Sequence, residues 1–154
     1  MGAGKTTVCQ QLKKELPNAI FLDGDWCWDM NPFQINEETR TMVLDNIAYV
    51  LNAFIQCAAF ENVIFCWVMH EQEIIDNILS RLHLEDCTLQ IISLVCSQEV
   101  LRARLEKDIE SGIRTPDILE RSVKYMSLYN NLNTTKIDTS SLTTSEVVQK
   151  IKSL

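Results

Sequence analysis

The residues that most clearly indicate chemistry lie at the start of the chain, which begins Gly2-Ala3-Gly4-Lys5-Thr6-Thr7. This run is the second half of the phosphate-binding pattern G-x-x-x-x-G-K-[ST], the P-loop. In that pattern, glycines let backbone N–H groups approach phosphate oxygens, the lysine reaches the β- and γ-phosphates, and the next hydroxyl contacts Mg²⁺. We therefore predict that all these residues bind a nucleotide, that Lys5 is catalytic and that Thr6 is a metal ligand. A glycine-rich tail before a helix is the alternative interpretation.

The first half of the pattern lies outside this sequence. Its first glycine would fall two places before Met1, after the buried strand that leads into such a loop. We expect the upstream sequence to encode an apolar strand of about five residues and then that glycine. Because the loop needs this anchor, an inactive truncated fragment stays open as an alternative.

A second chemical group follows the apolar run that ends at Leu22, where the sequence reads Asp23-Gly24-Asp25. Phosphoryl transfer needs oxygen ligands for Mg²⁺ and a carboxylate that orients the acceptor and takes its proton. We predict that Asp23 is a metal ligand and that Asp25 is the catalytic base. An ordinary Asp-Gly turn is the alternative.

Hydrophobic periodicity predicts the elements that position these groups. The predicted order is helix, strand, helix, strand, helix, strand, two helices, strand and helix. Such alternation favours an α/β fold with a parallel sheet covered by helices on both faces. Ser97 is placed to cap a helix, Thr115-Pro116 to open one, and Thr143 with Glu146 to form a capping box.

Length and composition set limits on the function. The 154 residues, 46% hydrophobic and 23% charged, predict one domain over residues 1–154. A net charge of −7 argues against a nucleic-acid-coating surface, and no apolar run is long enough to cross a membrane. The six cysteines form no C-x-x-C pair, which favours the reducing cytoplasm. Three of them lie in apolar runs, where we expect burial: Cys57, Cys66 and Cys96.

Taken in order, the motifs resemble the P-loop kinases, which include nucleoside monophosphate kinases and kinases of shikimate, gluconate, adenylyl sulfate and chloramphenicol. The resemblance rests on the P-loop residues, on Leu22-Asp23-Gly24-Asp25 and on residues 100–105 and 137–140. It implies a three-layer α/β P-loop NTPase fold whose first, central strand is missing from this chain. It also implies a kinase that uses ATP and Mg²⁺ on a small-molecule or nucleotide acceptor, as a cytoplasmic monomer or homodimer.

Arg104-Leu105 followed by Gly112-Ile113-Arg114 resembles the lid of nucleotide kinases. The resemblance implies that Arg104 stacks on adenine, that Arg114 clamps phosphates during catalysis, and that residues 107–115 form a short lid. Planar guanidinium groups suit both tasks. Helix-surface charge paired with neighbouring carboxylates is the alternative.

The predicted strand that begins at Asn62 ends in Trp67-Val68-Met69-His70, without the carboxylate that motor ATPases and GTPases carry there. This favours kinases that hold Mg²⁺ from the Asp-Gly-Asp element. Aromatic residues near these strand ends could form the floor of a site for a planar acceptor, or could simply pack the core: Trp26, Trp28, Phe33 and Trp67. A nucleotide-binding module or NTPase without a dedicated acceptor is the alternative function.

Overall fold

The computed structural model describes residues 2–154, so the predicted junction with a preceding strand lies outside the described residues. The elements follow in the predicted order. The helices are α1 (Lys5–Glu15), α2 (Glu37–Gln56), α3 (Gln72–Leu79), α4 (Gln98–Glu110), α5 (Ile118–Met126) and α6 (Thr144–Lys152). The strands are β1 (Ala19–Asp23), β2 (Asn62–Cys66), β3 (Ile92–Val95) and β4 (Thr135–Asp138). Short 3₁₀ helices follow β1 (Gly24–Trp28) and α5 (Ser127–Asn131). None of the helices in this described range is long and apolar enough to cross a bilayer.

The strands form two separate parallel pairs. β1 pairs with β2, with Asp23 opposite Cys66, and β3 pairs with β4, with Val95 opposite Asp138. Within residues 2–154, no strand hydrogen-bonds to both pairs. Parallel strands connected through helices confirm the predicted α/β class.

The chain divides into two compact units. The P-loop unit comprises residues 2–8, 70–72 and 90–154, and the Asp-Gly-Asp unit comprises residues 9–69 and 73–89. Each has its own apolar core. In the P-loop unit, α4 and α5 contribute Leu101, Leu105 and Ile118. In the Asp-Gly-Asp unit, β1, α2 and α3 contribute Leu22, Val43, Ile47, Leu51 and Ile78.

Two of the predicted helix starts are confirmed. The Ser97 hydroxyl accepts the Val100 N–H at the start of α4. At α6, the Glu146 N–H donates to the Thr143 hydroxyl while the Thr143 N–H donates to the Glu146 carboxylate. These reciprocal bonds satisfy N–H groups that a helix start leaves without a partner.

The start predicted for α5 is wrong. Thr115 was expected to cap the helix and Pro116 to occupy its first position, but α5 begins at Ile118. The Thr115 hydroxyl donates to the Asp117 carboxylate, while the Ile118 N–H donates to the Thr115 carbonyl. This i→i+3 bond makes the residues before α5 a tight turn instead of a capped helix start.

Two further predictions are wrong, the first because of contacts distant in sequence and the second because of position in a helix. The helical spacing of apolar residues predicts a helix over residues 71–83, but α3 ends at Leu79. The Asn52 side chain accepts the His83 N–H at 2.9 Å and donates to the Arg81 carbonyl at 2.8 Å, so these backbone groups bond outside the helix. Cys57, predicted to be buried, is exposed because it lies at the end of α2.

Candidate functional site

The P-loop residues turn sharply just before α1. Gly2 has φ +76° and Gly4 has φ +83°, the left-handed region that favours glycine. The Val8 N–H donates to the Gly4 carbonyl at 2.9 Å, so Gly4 directly precedes the helix, with Lys5 and Thr6 in its first turn. First-turn N–H groups and the positive end of the helix dipole attract anions. This local geometry suits the binding of a phosphate group.

Gly2 also packs closely against α4. A Cβ atom at residue 2 would lie 2.8 Å from Leu101 Cδ1 and 3.0 Å from Leu105 Cδ2. Residue 2 is therefore glycine for two reasons: its φ is positive, and the leucine side chains leave little space for a Cβ atom. The sequence predicted that Gly2 binds phosphate. It did not predict the contact with the two leucines, because nothing in the motif indicates a contact with residues about a hundred positions away.

Arg104 lies on α4 in the same unit. Its Nη1 donates to the Thr139 hydroxyl at 3.1 Å, and its Nη2 donates to the Thr139 carbonyl at 2.8 Å. These contacts fix the half-buried guanidinium beside the residue that follows β4. Arg104 thus joins two elements of the P-loop unit.

The predicted lid is largely a helix end. α4 continues to Glu110, and then the Gly112 N–H donates to the Ile109 carbonyl and the Ile113 N–H to the Asp108 carbonyl, both at 2.9 Å. With Gly112 at φ +70°, this is a Schellman motif. Arg114 Nε lies 3.0 Å from Asp108 Oδ2, so in this conformation Arg114 forms the type of ion pair that the alternative interpretation expected.

The Asp-Gly-Asp element lies at the carboxyl end of β1, in the other unit. Asp23 is 5% exposed, and its Oδ1 accepts the Asp25 N–H at 3.1 Å, which caps the following 3₁₀ helix. Asp25 is exposed. The two carboxylates therefore differ in setting: one is enclosed and holds the turn, and the other faces solvent, where an acceptor can approach it.

Gly24 is needed for packing against Trp67. A Cβ atom at residue 24 would lie 2.6 Å from Trp67 Cγ. Trp67 follows β2, directly after Cys66, which is opposite Asp23 in the strand pair. The indole thus covers the turn that carries both aspartates, a contact that sequence reasoning missed.

The aromatic residues do not share one role. Trp28 and Trp67 pack against the core of the Asp-Gly-Asp unit, as the core-packing alternative expected. Trp26 is 57% exposed, with its ring edge-on to Phe21 at 5.5 Å between centroids, and exposed Phe33 lies 5.7 Å from Trp28. The exposed members of the set are the ones that remain available to a planar ligand.

His70 belongs to the P-loop unit, where its ring stacks on Tyr125 of α5 at 4.4 Å between centroids. Its Nε2 is 3.5 Å from Glu71 Oε1, and its buried Nδ1 has no hydrogen-bond partner in the described structure. The stack on Tyr125 holds the ring in place.

Residues 2–154 contain no cluster of three or more His, Cys, Asp or Glu side chains able to hold a metal. Mg²⁺ does not require one, because it is usually bound through one or two protein oxygens together with substrate phosphates and water. The exposed Thr6 hydroxyl, in the P-loop unit, is a hard oxygen donor of this kind, and so is the Asp23 carboxylate, in the Asp-Gly-Asp unit. Taken separately, each side chain has the donor chemistry that Mg²⁺ prefers.

Comparisons with known proteins agree with this geometry. A family model described as an AAA domain matches residues 1–124. No curated protein matches the chain by sequence. Among solved structures, a sugar kinase from Janibacter sp. HTCC2649 has a TM-score of 0.71 at 16% identity, covering 99% of this chain and 87% of that one. The tunicamycin resistance protein of Deinococcus radiodurans has a TM-score of 0.71 at 17% identity, covering 99% and 88%. A gluconokinase from Sinorhizobium meliloti 1021 has a TM-score of 0.64 at 16% identity, covering 97% and 83%. The chain therefore belongs to the AAA domain family and has the fold of the P-loop kinases.

Proposed function

We propose that this protein is an ATP-dependent phosphotransferase, which moves the γ-phosphoryl group of ATP to a small-molecule or nucleotide acceptor. The observation that carries the proposal is the geometry before α1. Gly2 and Gly4 both have positive φ, and Lys5 and Thr6 occupy the first turn of the helix. A backbone arranged in this way presents N–H groups to phosphate, and the lysine supplies the compensating charge.

In this proposal, the P-loop residues bind ATP, the phosphoryl donor, and polarise its phosphates. Backbone N–H groups of residues 2–7 contact the phosphates, and the Lys5 ammonium offsets charge on the β- and γ-phosphate oxygens. Thr6 and Asp23 would hold Mg²⁺, which when bound neutralises the phosphate oxygens as charge develops on them.

Asp25 is the proposed base. The acceptor oxygen forms a bond to the γ-phosphorus, the bond from that phosphorus to the β–γ bridging oxygen breaks, and ADP departs with the electron pair. The acceptor proton passes to the Asp25 carboxylate. Its exposure supports this role, since the carboxylate can meet an acceptor from solvent, while enclosed Asp23 holds the turn.

The two lid-side arginines have separate proposed roles. Arg104 places the plane of its guanidinium against the base of the nucleotide. Arg114 contacts transferring phosphate, for which it must leave its ion pair with Asp108. That pair is partly exposed, so the exchange of a carboxylate for a phosphate costs little.

Two of the fold neighbours, described as a sugar kinase and a gluconokinase, support polyhydroxy compounds as the first acceptors to test. A first panel therefore contains sugars, gluconate and other polyhydroxy acids, with nucleosides and nucleoside monophosphates as the second class. We further propose a cytoplasmic enzyme, monomeric or homodimeric, because its donor is ATP and its six cysteines are all free thiols.

The direct test incubates the 154-residue chain with ATP, Mg²⁺ and each acceptor. ADP is measured by a coupled assay and the phosphorylated product by mass spectrometry. We expect ADP release to stay near background until the correct acceptor is supplied. ATP turnover that no acceptor stimulates would instead support the alternative of an NTPase.

Lys5→Ala tests the phosphate-binding role. We expect phosphoryl transfer to be abolished while the circular dichroism spectrum and melting temperature stay close to those of the parent, since a lysine in the first turn contributes charge rather than core packing. Lys14→Ala, an exposed lysine of the same helix, is the matched control. Turnover of Lys5→Ala within a few-fold of the parent at saturating ATP would refute the assignment.

A further inference from the structure

Thr139 follows β4 and is 2% exposed. Its backbone N–H donates to the Val95 carbonyl at 2.8 Å, and its hydroxyl lies 3.1 Å from the same carbonyl. A carbonyl cannot donate, so the hydroxyl proton points to Val95. The threonine oxygen is thereby left as an acceptor on its other side.

Arg104 uses that acceptor. Nη1 donates to the Thr139 hydroxyl and Nη2 to the Thr139 carbonyl, at 3.1 and 2.8 Å. Two parallel contacts from one planar guanidinium define the orientation of its plane, which a single hydrogen bond does not. The contacts use the edge of the group, so neither of them occupies its faces.

The surrounding residues hold this arrangement in place. The Ser97 N–H, at the start of α4, donates to the Ser140 hydroxyl at 2.8 Å, and that hydroxyl donates to Asp138 Oδ1 at 2.6 Å. The helix that carries Arg104 is thus joined to the residues after β4 at both Ser140 and Thr139. A guanidinium oriented before a ligand arrives loses less conformational entropy on binding.

We propose that Thr139 is a positioning residue for nucleotide-base recognition, which fixes the plane of Arg104 so that the base stacks on one face. The inference rests on the proposed function, in which Arg104 contacts the base. Thr139 acts through Arg104 and does not touch the ligand itself. The ligand class is a nucleotide with a purine base, recognised by stacking in addition to its phosphates.

The test measures ADP affinity by isothermal titration calorimetry for the full chain, Thr139→Val and Thr139→Ser. Valine keeps the shape and removes the hydroxyl, so we expect ADP to bind about 10- to 150-fold more weakly, the range for loss of one hydrogen bond to a charged group. Serine keeps the hydroxyl and should restore binding to within about twofold. Inorganic triphosphate, which lacks a base, should bind the parent and the valine variant equally.

A double-mutant cycle separates positioning from packing. In an Arg104→Leu background, Thr139→Val should cause no further loss of ADP affinity, because the threonine then has no guanidinium to orient. At saturating ATP and acceptor, Thr139→Val should raise KM for ATP and leave kcat near that of the parent. If the valine variant does not fold, Arg104→Lys provides the same test, since lysine cannot make the planar two-point contact.

The outcomes are distinct. Equal ADP affinity in the parent and Thr139→Val overturns the positioning role while the proposed function stands. Equal losses for ADP and inorganic triphosphate overturn it too, because they indicate a general disturbance of the unit. A parent chain that binds no ADP overturns the proposed function and this inference together.

Discussion

Two strand ends in this molecule form the same turn and carry different chemistry. At the end of β1, the Asp23 carboxylate accepts the N–H of the residue two places on, Asp25, at 3.1 Å. At the end of β4, the Asp138 carboxylate accepts the N–H of Ser140 at 2.8 Å. Both are Asx-turns, in which an aspartate side chain imitates a backbone turn. The backbone forms the same turn at both strand ends, so the two turns differ in their side chains.

The middle residue separates the two turns. Gly24 has no side chain, and the indole of Trp67 occupies the space where a Cβ would lie. Thr139 has a hydroxyl and a carbonyl that both accept hydrogen bonds from Arg104. One turn is thus closed by an aromatic ring and the other by a guanidinium. The middle residue therefore determines which side chain packs against each turn.

The first aspartates of the two turns differ in their exposure to solvent. Asp23 is buried, whereas Asp138 is exposed. Hydrogen bonds from the Ser140 hydroxyl and then from the Ser140 N–H hold the pKa of Asp138 below its ordinary value. In the β1 turn the position of Ser140 is taken by a second carboxylate, Asp25. The presence of this second carboxylate makes the β1 turn a candidate for proton transfer.

The largest effect on activity is expected at Asp25, where the β1 turn has a carboxylate and the β4 turn has the serine hydroxyl of Ser140. Asp25→Asn should lower kcat by about 10²- to 10⁴-fold, the usual cost of losing a positioned base, with ADP affinity close to that of the parent. Steady-state kinetics and calorimetry measure the two quantities separately. Asp29→Asn, which alters an exposed carboxylate at the end of the same 3₁₀ helix, is the control. An equal loss of nucleotide binding would make Asp25 a metal-site residue and exchange its role with that of Asp23.

Gly24→Ala tests the contact that closes the β1 turn. A Cβ atom 2.6 Å from the Trp67 ring forces the turn or the indole to move, and overpacking of this kind costs about 1–3 kcal/mol of unfolding free energy. Chemical denaturation measures the loss. In a Trp67→Leu background the same substitution should cost clearly less. Equal costs in both backgrounds would show that the indole does not constrain the turn.

The smallest effect concerns the hydroxyl that only the β4 turn possesses. Ser140→Ala removes the largest cause of the lowered pKa of Asp138, so that pKa should rise toward its ordinary value while the backbone N–H keeps part of the shift. A lowered folded-state pKa stabilises the fold above the ordinary aspartate pKa of about 4, and this stabilisation disappears as the pH falls through the folded-state value. The part of the melting-temperature difference that comes from Asp138 should therefore vanish in acid, whereas the part that comes from the lost bond between the Ser97 N–H and the Ser140 hydroxyl should persist.

A carboxyl-detected NMR titration measures this pKa directly. Glu146 is the internal control, because its pKa is lowered by hydrogen bonds from Thr143, which the substitution leaves unchanged. An Asp138 titration curve identical in parent and Ser140→Ala would show that the hydroxyl does not stabilise the carboxylate. The two turns would then be alike in this respect.

The sequence predicted the features that depend on neighbours along the chain. Apolar periodicity gave the order of the helices and strands, and the capping box of Thr143 and Glu146 appears as expected because its residues lie within one helical turn. The P-loop motif located the glycines that have positive φ. These are local properties, which sequence patterns report well.

Contacts between distant segments were not predictable. The end of α3 depends on Asn52, the need for glycine at position 24 depends on Trp67, and the setting of Arg104 depends on Thr139. Each partner lies tens of residues away, and no period or motif pairs them. The individual residues of the candidate site stay predictions from the sequence, whereas the contacts that orient them required the structure.

The close approach of Gly2 to Leu101 and Leu105 has a consequence for substitution at this position. A Cβ at residue 2 would lie within 3.0 Å of both leucine side chains, and the positive φ of Gly2 independently disfavours any other residue. A smaller residue at position 101 or 105 would relieve the crowding and leave the backbone strain of an alanine at position 2. The loop glycine is thus constrained twice, and a change in α4 alone does not free it to vary.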